Sequence, residues 1–243
     1  MTNPKTILIL GANSDVAKAA IKIYILEKKY HVIAASRNIK QLKEFGQVNQ
    51  LPADQLTILS FDAVDFDSHE AFYENLPTQP HIVVYAAGYL KDNEEALRDF
   101  DGAFQMMKVH YAGAVSIINR IAMDESNTNL EQIIGLSSLS GVRGRKSNFI
   151  YGSTKSAFTQ YFAGLRQYLA QRKIKVNVIV AGYIRSKMTD GLDLTESLML
   201  EPEFIAKAVV KANKKFIIVP GYKWKAIYNI LRILPEQLVA KLP

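Results

Sequence analysis

The 243-residue chain contains no cysteine, which excludes disulfides and thiolate chemistry and fits a reducing compartment. Histidine is scarce: the four, at positions 31, 69, 81 and 110, have no metal-ligand spacing, so no metal site is expected. Long apolar runs are missing too. No stretch reaches the ~18 residues that a spanning helix requires, and the opening MTNPKTILILG has the length of a buried strand rather than the layout of a signal peptide. The expectation is a cytoplasmic protein. The formal charge of +7 suits an anionic membrane or a phosphorylated ligand. No zinc-finger spacing, basic heptad or aromatic RNA-recognition pattern accompanies it, so nucleic acid is not an expected partner.

What is present is an apolar, moderately charged chain, 49% hydrophobic and 22% charged, of a size for one α/β domain over 1–243 with a substantial core. Short apolar runs predict strands at 5–10, 31–35, 56–61, 81–86, 131–136, 174–180 and 215–219. Amphipathic stretches between them predict helices near 14–29, 38–46, 67–76, 102–124, 151–172, 201–213 and 223–233. With no linker, repeat or low-complexity segment, this alternation predicts a single doubly wound, Rossmann-type parallel sheet of about seven strands with helices on both faces. Such sheets bind ligands beyond the carboxyl ends of their strands, where the strand order reverses. Gly11, Ser36 and Arg37, Asp62, Ala86 to Gly88, Ser137 and Ser138, and Ala181 and Gly182 all fall just past predicted strand ends.

LILGANSDVAKAA runs from a strand through a turn into a helix. Gly11 permits the turn, small residues let the backbone approach a pyrophosphate, and the helix N-terminus presents free N–H groups. Ser14 or Asp15 is a candidate cap; the alternative is an ordinary strand-to-helix turn. The stretch resembles the opening of the short-chain dehydrogenase/reductase family, whose turn reads Gly-x-x-x-Gly-x-Gly; here Gly11 keeps the first glycine while Asp15 and Ala17 occupy the others. The resemblance implies that Gly11, Asn13, Ser14, Asp15 and Val16 hold a nicotinamide dinucleotide. At the end of the second strand, AASRN offers Ser36 and Arg37 and no carboxylate, so a 2′-phosphate would meet a guanidinium fork. NADP(H) is the expected cofactor, with NAD(H) as the alternative.

Further motifs follow in register. Asp62 and Ala63 resemble the family's adenine-contacting Asp-Val, and YAAG at 85–88 stands in place of its Asn-Asn-Ala-Gly, keeping Ala87 and Gly88 and replacing the asparagines with Tyr85 and Ala86. VNVIVAGYIRSKM resembles the segment after the sixth strand: Ala181 replaces a proline, Gly182 and Met188 match, and Ile184 and Ser186 sit where the resemblance places the nicotinamide carboxamide.

Tyr-x-x-x-Lys occurs at Tyr24/Lys28, Tyr151/Lys155 and Tyr183/Lys187. A serine stands thirteen positions earlier only for Tyr151, at Ser138, and only there does the tyrosine open a long amphipathic helix that stacks it with its lysine. The resemblance implies that Tyr151 exchanges the proton on a substrate oxygen while hydride moves to or from nicotinamide. It also implies that Lys155 holds the nicotinamide ribose and lowers the phenol's pKa, and that Ser138 polarises the substrate oxygen. The family's fourth catalytic residue is an asparagine; here His110, in VHYAG, stands at its place, either as a substitute in the proton relay or as a packed neutral ring.

Residues 187–203 fall where the family has its substrate lid. In the tail, 222–243, Trp224, Ile227, Ile230, Leu231 and Leu234 form a stripe flanked by Lys223, Lys225 and Arg232, either a helix for a peripheral membrane contact or one that packs on protein. The tail also bears a weak resemblance to polyprenyl-phosphate keto-sugar reductases. Together these readings imply an NADP(H)-dependent oxidoreductase interconverting a carbonyl and an alcohol on a small or lipid-linked substrate, as a homodimer or homotetramer. A dinucleotide-binding subunit of reduced activity is the alternative that Asp15, His110 and Ala181 favour.

Overall fold

A computed structural model describes residues 4–241; residues 242 and 243 of the expected tail lie outside the described residues. All seven expected strands form: β1 (Thr6–Leu10), β2 (His31–Ala35), β3 (Leu56–Leu59), β4 (Ile82–Tyr85), β5 (Gln132–Ser138), β6 (Lys175–Ala181) and β7 (Ile217–Ile218). They make one parallel sheet in the order β3-β2-β1-β4-β5-β6-β7. Because strands buried on both faces read as continuous apolar runs, the sequence located them well. β3 stops at Leu59, two residues short of expectation, and β7 keeps only two residues of five.

The helices are α1 (Asp15–Lys22), α2 (Ile39–Val48), α3 (His69–Glu74), α4 (Asn93–Arg98), α5 (Phe100–Met107), α6 (Gly113–Met123), α7 (Phe149–Tyr168), α8 (Pro202–Val210), α9 (Tyr222–Ile233) and α10 (Glu236–Val239). Two features correct the sequence reading. The helix expected over 102–124 starts at Phe100 and is interrupted by a wide π-helical turn, Lys108–Ala112; a second such turn, Ile23–Glu27, continues α1. α4, whose polar sequence NEEALR carries little periodic signal, and the short α10 were not expected.

Side-chain alternation along the strands divides the core in two. Leu8, Leu10, Ile33, Val83 and Ile133 face Ile117, Ile121, Phe158 and Phe162 of α6 and α7, while Ile7, Ile9, Val32, Ala34 and Ile179 face Ala17, Ala20, Ile21 and Ile205 of α1 and α8. Gly135 lets α7 lie close on the sheet, since a Cβ there would come within 2.6 Å of Phe158. The strand order reverses between β1 and β4, opening the crevice that such sheets use for ligands.

Candidate active site

The turn after β1 enters this crevice. Gly11 has φ +84°, and a Cβ on it would lie 2.3 Å from the backbone nitrogen of Ala87, so only glycine lets the turn touch the segment leaving β4. Its N–H, like that of Ala12, donates to Ala35 O, fixing the turn between β2 and β4. Ser14, expected as a cap, makes no side-chain bond to α1, and the Asp15 carboxylate also turns elsewhere, accepting the N–H of Lys187 at 2.9 Å. The first-turn N–H groups of α1 therefore have no side-chain cap, as suits an anionic ligand. Asn13 spans the turn to β2: its Nδ2 donates to Ser36 Oγ (3.0 Å) and Asn38 O (2.8 Å), and its buried Oδ1 has no hydrogen-bond partner. Ser36 is buried and Arg37 exposed at the mouth. Val16 is buried under the turn; Asp62 Oδ1 accepts from Val64 N–H, Ala63 is buried beside it, and Ala86, whose N–H donates to Leu10 O, leads into Ala87 and Gly88 on the crevice floor.

On the other side, β5 ends at Ser138 and turns through Leu139–Gly141 directly against α7. Two glycines make that approach: a Cβ on Gly152 would lie 2.5 Å from Ser140 O, and one on Gly141 would lie 2.8 Å from the backbone of Lys155. α7 begins two residues before Tyr151, so phenol and lysine emerge one turn apart, with Ser138 beside the phenol. Lys155 Nζ lies 5.8 Å from the centre of the Tyr151 ring and donates to Leu136 O at 3.1 Å. Of the other two pairs, Tyr24 is buried in the core and Tyr183 packs edge-on against Trp224.

Here the electrostatics depart from expectation. Burial pushes the Tyr151 phenol up to about 12, with the Ser138 hydrogen bond pulling the other way, and burial brings Lys155 down to about 7. The ammonium does not lower the phenol in this arrangement, because Lys155 sits against the ring and bonds a backbone carbonyl. The phenol is protonated at neutral pH.

His110 lies in the π-helical turn, fully buried. Its Nε2 accepts the N–H of Tyr89 at 3.1 Å, which fixes the proton on Nδ1, and Nδ1–H donates to Thr154 Oγ1 at 2.7 Å. Thr154 in turn donates to Tyr151 O at 2.7 Å, and the imidazole meets the Tyr151 ring edge-on at 5.2 Å. Burial, then the Lys155 charge, hold the imidazole well below its ordinary pKa, so it is neutral. Both ring nitrogens are engaged, the geometry of a clamp between the β4 exit and α7. The wide turn also frees Val109 O to accept from Tyr85 OH at 2.5 Å, so the tyrosine in place of the family's asparagine ties β4 to this turn.

Three contributors were not read from the sequence as part of the site. Thr154 bridges His110 to Tyr151. Asn93, at the start of α4, accepts the N–H of Ile150 at 3.3 Å and steadies the first turn of α7. Trp224 is 4% exposed and its indole lies flat on Gly182, where a Cβ would come within 2.0 Å of the ring. Its Nε1 donates to Leu198 O at 2.8 Å, and Arg143 donates to the last carbonyls of α9, Leu231 O and Arg232 O. Of the stripe read as meeting either a membrane or protein, Trp224 and Leu231 are buried on the chain's own domain and Ile230 is exposed, as is Ile233 beside it. No described helix is long and apolar enough to cross a membrane.

The segment after β6 passes Ala181, paired with Ser138, and Gly182, then pairs Ile184 with Leu200. Ser186 N–H donates to Thr189 Oγ1 at 3.1 Å, and the lid runs from there to α8 at Pro202.

Known proteins with this fold are numerous. The family model described as short chain dehydrogenase matches residues 5–197. An uncharacterized oxidoreductase of Mycobacterium tuberculosis is 25% identical over 218 residues, covering 87% of each chain, and one of Staphylococcus epidermidis is 28% identical over 211 residues, 86% of this chain and 90% of the relative. A crystal structure of a short chain dehydrogenase from Burkholderia cenocepacia in complex with NADP shares the fold with a TM-score of 0.80 at 16% identity, covering 97% of this chain and 96% of that one.

Proposed function

The chain belongs to the short-chain dehydrogenases, and from that membership we propose that it is an NADP(H)-dependent oxidoreductase that interconverts a carbonyl and an alcohol with Tyr151 as proton donor and acceptor. The observation that carries the reading is the half-buried Tyr151, one helical turn from Lys155 and beside Ser138 at the end of β5, across the crevice from the Gly11 turn.

The chain's residues fit the dinucleotide. Gly11 lets the turn lie against the segment leaving β4, α1 presents N–H groups without a side-chain cap, and the unpartnered Asn13 Oδ1 is an acceptor awaiting a donor such as a ribose hydroxyl. Arg37, beside Ser36 and without a carboxylate at that strand end, selects for a 2′-phosphate. Ile184 and Ser186 flank the place of the carboxamide. When bound, the nicotinamide supplies or accepts the hydride.

The protein's own part is proton transfer and charge placement. Ser138 orients the substrate oxygen toward the phenol, Tyr151 donates its proton as charge develops there, and Lys155, buried against the Tyr151 ring, would hold the nicotinamide ribose. His110, neutral and engaged at both nitrogens, positions Tyr151 through Thr154. The lid and the exposed apolar face of α9 suit an apolar or lipid-linked carbonyl, and the exposed stripe Phe100, Phe104, Met107 and Tyr111 suits pairing with a second copy.

The test follows NADPH absorbance with a panel of ketones, keto-sugars and quinones. Turnover with any of them supports the reading. NADPH binding without turnover on every carbonyl class favours instead a dinucleotide-binding subunit, the second reading, to which the clamped His110 lends support.

A further inference from the structure

Asp15 occupies the second glycine position of the cofactor turn, and nothing in the reaction above uses its carboxylate. Its Oδ2 accepts the N–H of Lys187, 172 residues away in sequence. Residues 187–194 are the outer limb of the lid. Among the described residues, the other hydrogen bonds of this limb stay within residues 184–192: Thr189 to Ile184 and Ser186, and Leu192 to Thr189.

The inner limb is held differently. Arg185 pairs with Glu196 and Glu201, Lys223 Nζ donates to Ser197 O at 3.0 Å, Trp224 Nε1 donates to Leu198 O, and Leu200 N–H donates to Tyr183 O. The lid therefore has one end fixed to the domain by several hydrogen bonds and an outer limb whose one hydrogen bond beyond residues 184–192, among the described residues, is to Asp15, with Met188 packed beside Gly88; this limb lines a cavity of about 480 Å³ that reaches Asp15.

The position of that carboxylate gives the contact a consequence. Asp15 is the first residue of α1, at the helix end where a pyrophosphate would sit. Released from Lys187, its charge would face the phosphates; engaged on a lid N–H, it is directed away from them. We propose that Asp15 is a latch between the substrate lid and the cofactor turn, so that a closed lid favours dinucleotide binding and a bound dinucleotide favours a closed lid. Linkage makes the two effects equal in size. The coupling rests on the dinucleotide reading above; the latch itself does not.

Hydrogen exchange of the whole chain, without and with NADPH, tests it in wild type, Asp15→Gly and Asp15→Asn. Without NADPH, Asp15→Gly speeds exchange across 186–192 roughly fivefold to tenfold, the loss of one hydrogen bond, and leaves 151–158 and 196–201 unchanged. Asp15→Asn, whose carboxamide oxygen still accepts, stays within about twofold of wild type. NADPH slows exchange across 186–192 in wild type and leaves it unaltered in Asp15→Gly, which binds NADPH at least as tightly by fluorescence titration. Equal exchange across 186–192 in wild type and Asp15→Gly overturns the latch, and an equal NADPH effect in both overturns the coupling. No step needs turnover, so a failed search for a carbonyl substrate leaves the latch standing, whereas a wild type that binds no NADPH removes the dinucleotide reading and the coupling with it.

Discussion

Lys155 is buried with its pKa brought to about 7, and the folding consequence has a definite sign. Between about 7 and the ordinary lysine value of 10.5 the unfolded chain holds a proton that the folded one sheds, so this residue makes stability rise with pH across that window. Below about 7 both forms are charged and the full cost of the buried ammonium is present. Lys155→Met should therefore be the more stable protein at pH 6, by up to about 5 kcal/mol, with the advantage shrinking toward pH 10. Denaturant midpoints of both proteins across that range check it; an advantage independent of pH contradicts it. At this scale the sequence disclosed the reacting set, because Ser138, Tyr151 and Lys155 stand at fixed spacing on a strand end and a helix. It did not disclose that burial raises the phenol or that Lys155 bonds a backbone carbonyl, since both are properties of the packed site. Nor did it disclose the engagement of both His110 nitrogens, one of which depends on the backbone of Tyr89.

Gly182 was read as part of the cofactor site, and the structure gives it a second task as the platform of Trp224. In Gly182→Ala the new methyl has no room under the indole, so the ring must leave, taking with it the Nε1 bond to Leu198 O and the hold of α9 on the lid. The expected cost is about 1–3 kcal/mol. Trp224 is the one tryptophan of the chain, so its fluorescence reads the event directly. A red shift in the folded variant is expected; an unmoved spectrum contradicts the docking. Elements of this kind show where sequence reading stops. The seven strands and the main helices were legible because their apolar periodicity is local. The π-helical turn at 108–112 carries no periodic mark, α4 is a short polar helix, and the stripe of α9 reads the same whether its partner is a membrane or its own domain.

At the scale of the whole molecule, the proposed cofactor choice and assembly draw on surfaces far apart in sequence. With Arg37 and Ser36 at the end of β2, NADPH should stabilise the protein more than NADH does, by roughly 3 kcal/mol when it is present at a hundredfold its Kd and NADH binds negligibly. Arg37→Asp should reverse the order; thermal melts with each dinucleotide decide it. The exposed stripe Phe100, Phe104, Met107 and Tyr111, with the two phenylalanine rings stacked at 5.7 Å, should lie between two copies. Sedimentation of wild type as a dimer or tetramer, and of Phe104→Glu as a monomer, supports that; a monomeric wild type contradicts it. The measurement closest to the centre of the account is the rate of NADPH consumption with a reducible carbonyl, in wild type and Tyr151→Phe, each saturated with cofactor. A loss of at least about a hundredfold, with NADPH affinity within a few fold of wild type, is the predicted result. A variant that turns over at the wild-type rate would contradict the assignment of the proton to Tyr151.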